Sequence, residues 1–242
     1  MRDYGIELEK RVAFIRGILA ESNAKGIVFG NSGGKDSALV GILCKKACDN
    51  TVGIVLPCSS RRNFEEDFRD GKEVAEKFGI ETRVVDVTPV KEAVLRQVAA
   101  ATEVTPLADA NIAPRLRMTV LYTVAASEGR LVAGTGNRSE GYVGYFTKWG
   151  DGAHDFNPIS DLTVREVYEF LEYLGCPDCI MKKAPSAALF EGQTDEAEMG
   201  IKYSQLDDYL LEGKGEKEVV EKIEKMHARS EHKRIPIRTY SK

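Results

Sequence analysis

The run Gly30-Asn31-Ser32-Gly33-Gly34-Lys35-Asp36-Ser37 sets a glycine doublet, two serines and an aspartate between an apolar stretch and a helix start. Amides in a glycine-rich bend and at the first turn of a helix face outward, and with serine hydroxyls they can wrap a pyrophosphate. Gly26-Ile27-Val28-Phe29 reads as the buried strand entering the bend, and Ser37–Leu43 opens the helix leaving it. Two familiar phosphate motifs fail here. A Walker A loop needs a first glycine where Phe29 stands and Ser or Thr where Asp36 follows Lys35. A dinucleotide Gly-x-Gly-x-x-Gly fails because Gly30 and Gly33 lie three apart. The plain alternative is a glycine-rich helix start with Asp or Ser as N-cap. Strand, doublet and Asp-Ser in register argue against it.

Asp36 and Glu140 are the carboxylates suited to Mg2+, which takes one or two carboxylates together with phosphate oxygens and water. Both fall where a loop runs into a helix. The plainer readings are N-capping for Asp36 and solvent exposure for Glu140. The five cysteines include Cys176-Pro-Asp-Cys179, with metal or redox spacing, and Cys44 and Cys48 on one helix face. An odd number argues against a secreted disulfide framework, and zinc needs four ligands from one neighbourhood. Ordinary reduced thiols are the favoured reading, with a metal or a disulfide at Cys176 and Cys179 left open.

The elements that must position these groups follow from periodicity. Leu8, Val12, Ile15 and Leu19 give an amphipathic first helix ending near Asn23. Apolar runs at 26–29, 51–56, 82–87 and 130–133 then alternate with helices near 36–47, 64–78, 89–99 and 111–127. This alternation predicts an α/β fold: a doubly wound, mainly parallel sheet with helices on both faces. Ligands in such sheets lie beyond the carboxyl ends of the strands, where Gly30–Ser37, Pro57–Arg62 and Gly134–Glu140 all fall. Gly150-Asp151-Gly152 and Asn157-Pro158 break the pattern, and Thr163 caps a helix over Val164–Leu174. Lys182–Gly200 reads as a loop that orders on binding. A helical C-terminal part follows, near 204–212 and 215–230, with a basic tail.

Composition narrows the partners. In 242 residues, 34 basic and 38 acidic side chains nearly cancel, so no global field draws the chain to nucleic acid or to an anionic membrane. Arg2, Asp3, Glu7, Glu9, Lys10 and Arg11 interrupt the stretch a signal peptide would need, and no segment reaches a membrane span. The expected compartment is the cytoplasm. The length suits one domain over 1–242, and no internal repeat is present.

The Ser-Gly-Gly-x-Asp-Ser bend resembles the loop of the N-type ATP pyrophosphatases, which cleave ATP between the α and β phosphates. Further motifs follow in order: Asn111-Ile112-Ala113-Pro114-Arg115-Leu116-Arg117-Met118, Gly134-Thr135-Gly136-Asn137 through Glu140, and Phe146-Thr147-Lys148-Trp149-Gly150-Asp151. Lys183-Ala184-Pro185-Ser186, Gln193-Thr194-Asp195-Glu196 and His232-Lys233-Arg234 complete the series. With them the chain resembles the ammonia-dependent NAD synthetases over nearly its whole length.

That resemblance implies an adenine nucleotide alpha-hydrolase-like fold and a ligase with ATP as co-substrate and Mg2+ as cofactor. The reaction adenylates the pyridine carboxylate of deamido-NAD, releases pyrophosphate, and lets ammonia displace AMP to give NAD. Activating the acid splits one difficult step into two. By position, Gly30, Asn31, Ser32, Gly33, Gly34, Lys35, Asp36, Ser37, Thr135 and Ser186 would bind ATP, with Asp36 and Glu140 on Mg2+. Arg115, Lys148, Asp155, His232 and Lys233 would bind deamido-NAD, and Asp36 and Lys148 would be catalytic. The resemblance also implies a homodimer whose interface holds the deamido-NAD site, no glutaminase domain, and nitrogen arriving as free ammonia. Two departures stand out. Val164 occupies the place of an ATP-contacting lysine, so either Arg165 supplies that charge or the contact is absent. Ser186 replaces a threonine and keeps its hydroxyl. A tRNA-thiolating type of adenylating enzyme, supported by Cys176 and Cys179, and a non-catalytic nucleotide-binding regulator are the competing readings.

Overall fold

The computed structural model describes residues 2–59, 63–183 and 194–240. Four strands, β1 (Gly26–Gly30), β2 (Thr51–Val55), β3 (Glu81–Val84) and β4 (Arg130–Ala133), form one sheet in the order β3-β2-β1-β4. Every neighbouring pair is parallel, with Val28 opposite both Val52 and Val132. The helices are α1 (Tyr4–Ser22), α2 (Lys35–Ala47), α3 (Phe68–Phe78), α4 (Thr88–Ala99), α5 (Pro106–Ala110), α6 (Ile112–Glu128) and α7 (Arg138–Val143). They continue with α8 (Val164–Tyr173), α9 (Asp178–Met181), α10 (Asp195–Met199), α11 (Tyr203–Glu212), α12 (Lys217–Arg229) and α13 (Glu231–Arg234). A π-turn over Asn63–Asp67 leads into α3.

Strand alternation sorts the two faces, since successive side chains point to opposite sides. Ile27 and Phe29 pack with Ile15 of α1, Leu39 and Leu43 of α2, Val74 of α3 and Phe170 of α8. Val28, Val52 and Ile54 face the other way, onto Ala125, Val120 and Leu121 of α6. At about 1.5–3 kcal/mol for each large apolar side chain buried, these two layers hold the doubly wound sheet together. A third cluster, with Val143, Val164, Met199, Tyr203, Leu206 and Ile223, joins α7 and α8 to the C-terminal helices.

The expected strands and long helices are present, with shifted ends. The third strand stops at Val84 rather than reaching residue 87, although Val85 and Val87 still donate to Val55 O and Pro57 O. The Lys182–Gly200 stretch is not wholly a loop. Thr194 caps α10 by accepting from Ala197 N, and Gly200 ends it in the left-handed region. Residues 184–193 lie outside the described residues. Cys176 and Cys179 are unpaired thiols packed on the first core layer, and burial pushes the Cys176 thiol up.

Candidate active site

A cavity of about 1320 Å³ opens at the carboxyl ends of β1, β2 and β4. Drug-sized ligands occupy roughly 300–1,000 Å³, so this space suits two large ligands. The bend after β1 forms its floor. Gly34 is the N-cap of α2, in extended conformation and with no side-chain hydrogen bond to the first turn, so this N-terminus stays open toward the cavity. Ser32 Oγ donates to Ser37 Oγ at 3.1 Å, and Ser37 Oγ donates to Gly34 O at 3.0 Å. Gly33 has φ +67°, and a Cβ there would stand 2.1 Å from Asp67 O, so only glycine fits. The Asn31 side chain donates to Gly71 O at 3.1 Å, bracing the bend against α3.

Opposite the bend, α7 starts with a capping box in which the Asn137 and Glu140 side chains each accept from the other's backbone N–H. The Asn137 amide then donates to Asp36 Oδ1 at 3.0 Å, so one side chain fixes both carboxylates relative to each other. Lys35 Nζ lies 2.8 Å from Asp36 Oδ2 and 3.9 Å from Glu140 Oε1, 5.6 Å from the Tyr203 ring centroid. All three charged side chains are largely shielded, at 6 %, 15 % and 18 % exposure for Lys35, Asp36 and Glu140. Burial, and next the Asp36 charge, push the Glu140 carboxyl up to about 8. One ammonium therefore does not fully neutralise the pair, and two carboxylates short of positive charge suit a divalent cation.

The remaining predicted residues gather on the opposite rim, with one exception. Lys148 Nζ donates to His232 O and lies 5.3 Å from the Trp149 ring centroid. Lys233 Nζ donates to Gly144 O at 2.7 Å and Phe146 O at 2.6 Å, and burial pulls its ammonium down. Arg115 is exposed at the mouth, with Nη2 donating to Lys148 O at 3.4 Å, and Thr135 lines the wall. The exception is Asp155, which does not line the cavity. Its Oδ2 accepts from Val132 N at 2.7 Å on the β4 edge, and its Oδ1 accepts from Tyr122 OH at 3.2 Å on α6. Ser186 lies outside the described residues.

The start of α8 answers the question raised by Val164. Val164 is 5 % exposed in the third apolar cluster, and Arg165 Nη2 donates to Asp208 Oδ1 at 2.5 Å. Arg165 N donates to Asp207 Oδ2 at 2.7 Å, and Ser139 Oγ and Thr163 Oγ1 accept from Val164 N and Glu166 N. This helix end already holds its own carboxylate, so neither residue presents a cation to the bend.

A family model described as NAD synthase matches residues 7–236. The chain belongs to the NAD synthase family. It is 49 % identical to an NH(3)-dependent NAD(+) synthetase of Carboxydothermus hydrogenoformans over 94 % of each chain. It is 44 % identical to the protein of that name from Archaeoglobus fulgidus, over 94 % of this chain and 93 % of that one. Among solved structures, an NMN synthetase from Francisella tularensis superposes with TM-score 0.93 at 36 % identity, covering 99 % of both chains. An NH3-dependent NAD synthetase from Campylobacter jejuni, in complex with the nitrate ion, gives TM-score 0.82 at 27 % identity over 100 % of both.

Three groups in this NAD synthase-family site were absent from the candidate set. Asn137 was visible only as part of Gly-Thr-Gly-Asn. Arg117, whose Nε donates to Leu56 O at 2.9 Å beside the cavity, was the second arginine of Arg115-Leu116-Arg117. Lys183 stood in the Lys-Ala-Pro-Ser motif without a role.

Proposed function

We propose that this chain forms NAD by amidating deamido-NAD with ammonia at the expense of ATP, which leaves as AMP and pyrophosphate. The observation that carries the reading is the uncapped N-terminus of α2, which faces a cavity large enough for two nucleotides and lies beside the Asp36 and Glu140 carboxylates. The pyridine carboxylate attacks the α-phosphorus and pyrophosphate departs. Ammonia then attacks the activated acyl carbon and AMP departs with the electron pair. In this reading the Gly30–Ser37 bend, Thr135 and Ser186 hold ATP, and amides at the start of α2 face the departing diphosphate. Asp36 and Glu140 hold Mg2+, which supplies positive charge to the phosphate oxygens. Lys148, Lys233, His232 and Arg115 hold the pyridine dinucleotide on the other rim, with Asp36 and Lys148 nearest the chemistry.

A homodimer completes the proposal. No residue of α4 is buried, and Val90, Val98 and Leu107 stand exposed beside α6. Asp155, held outside the cavity on the α6 side, would meet the dinucleotide only where a second copy adds to the pocket. Residues 1–242 act as one synthetase domain fed by free ammonia, and the five unpaired thiols suit a cytoplasmic setting. Nothing in the charge balance favours the RNA-modifying alternative.

The close superposition on the protein named NMN synthetase favours a second reading, in which the same site amidates the mononucleotide acid. One assay separates these readings. Purified protein receives ATP, Mg2+ and ammonium with either deamido-NAD or nicotinate mononucleotide, and kcat/KM is compared. The expected result is NAD with one AMP and one pyrophosphate per turnover. Preference for the mononucleotide selects the second reading. No amide from either acid, with ATP consumption stimulated by tRNA, overturns both.

A further inference from the structure

Lys183, at the far end of the molecule from the bend in sequence, touches it in space. Its Nζ donates to Gly33 O at 3.1 Å and lies 2.8 Å from Asp67 Oδ1 and 2.7 Å from Asp70 Oδ2. The cluster is sheltered, at 14 % exposure for Lys183, 8 % for Asp67 and 5 % for Asp70. Two carboxylates anchored before and at the start of α3 thus hold one ammonium against one carbonyl. That carbonyl belongs to the Gly33–Gly34 peptide, which has no Cβ on either side and is the easiest in the bend to turn over.

We infer that Lys183 is a positioning residue that locks the Gly33–Gly34 peptide with its N–H toward the diphosphate. In a trans peptide the C=O and the N–H point in opposite directions. Holding the Gly33 carbonyl on Lys183, which lines the same cavity as Gly34, therefore fixes the Gly34 N–H on the side away from that ammonium. A turned peptide would present an oxygen to the phosphates and repel them. The inference rests on the reading of the bend as the ATP site.

The test is Lys183→Met, read by calorimetric binding of inorganic pyrophosphate and by separate KM values for ATP and deamido-NAD. The expected result is a loss of pyrophosphate affinity and a rise in ATP KM of about tenfold or more, the size of one lost charge-assisted contact. The deamido-NAD KM stays within about twofold, and Lys183→Arg recovers part of the loss. Pyrophosphate binding like that of the wild type, or equal rises in both KM values, overturns the inference. Lys183→Met removes the ammonium shared by two sheltered carboxylates, so where it does not fold, the triple variant Lys183→Met, Asp67→Asn, Asp70→Asn replaces it. The same loss is expected there, and wild-type pyrophosphate binding in the triple variant overturns the role. Wild-type protein that binds no pyrophosphate sinks the ATP-site reading itself, a result visible before any variant is made.

Discussion

Two helices that pack on each other, α2 and α8, begin in opposite ways. The first turn of α2 follows a glycine N-cap with no side-chain bond. The first turn of α8 is closed by Thr163 and Glu166 in a capping box, by Ser139 Oγ on Val164 N, and by the Asp207 carboxylate on Arg165 N. A helix N-terminus carries roughly half a positive charge and a set of unpaired donors. At α8 the protein supplies the anion from its own chain, and at α2 it leaves the place for a ligand. The difference lies in what precedes each helix: Gly33-Gly34 offers no side chain to cap with, whereas Thr163 does. Val164, buried beside this closed end, brings no charge to it.

Removing the charges beside the open end should have the largest effect. Asp36→Ala or Glu140→Ala is expected to lower kcat by roughly 10²–10³-fold, the usual loss when one electrostatic stabiliser goes. Rates of amide formation equal to wild type in both variants would break the metal assignment. The next test makes α2 resemble α8. A Cβ at Gly34 meets only Ser32 Oγ, at 3.3 Å, and φ there is −104°, so Gly34→Asp fits with slight adjustment. It should cap the helix and stabilise the fold by about 0.5–1 kcal/mol. At the same time ATP KM should rise about tenfold or more, because the protein's own carboxylate now competes for the amides. Gain in Tm with loss of ATP affinity is the signature, and unchanged ATP KM would mean phosphates bind elsewhere.

The converse variant, Val164→Lys, places an amine in a site 5 % exposed among Met199, Tyr203 and Leu206. Thermal unfolding should show a loss of about 1–3 kcal/mol, and ATP KM should not improve. A lower ATP KM would show that α8 does reach the nucleotide. A pH series probes the open end more gently. Glu140 is raised to about 8, above its ordinary value near 4.5, so the folded protein binds the proton more tightly than the unfolded chain between those limits. Its contribution is present below pH 4.5 and is lost as pH rises toward about 8. Metal-free protein should therefore lose stability along that rise, and Mg2+ should flatten the slope if it sits between Asp36 and Glu140. A slope identical with and without Mg2+ would place the ion elsewhere.

How far these contrasts were legible in the sequence depended on range. The parallel sheet was readable because the apolar runs at 26–29, 51–56 and 130–133 are short, β-branched and separated by helical periodicity. The bend was readable because a phosphate loop is local: its donors come from consecutive residues. The start of α7 is readable at Glu140 but not its extent, and α10 is not readable at all, because five or six residues show no period and their caps, Asn137 and Thr194, declare themselves only through bonds to the next turn. Position alone put Asp155 with the dinucleotide residues, yet its carboxylate is engaged by Val132 N and Tyr122 OH, contacts that need the fold to be seen. Arg165 as a substitute cation failed for the same reason, since its partner Asp208 is 43 residues away.

The subtlest test acts on the closed end alone. Asp207 is 1 % exposed and accepts from Ser139 Oγ at 2.6 Å and from Arg165 N at 2.7 Å. Burial raises its carboxyl, while those two bonds and the Arg165 charge lower it. Asp207→Asn keeps a side-chain oxygen for Arg165 N but removes the charge that complements the helix end, so stability should fall by about 0.5–1 kcal/mol. On the proposed reading, in which the nucleotide draws on α2 and not on α8, the ATP KM should stay within about twofold. If ATP instead bound more tightly in Asp207→Asn, the vacated charge at α8 would be attracting phosphate. The two helix ends would then be competing sites rather than one open and one closed.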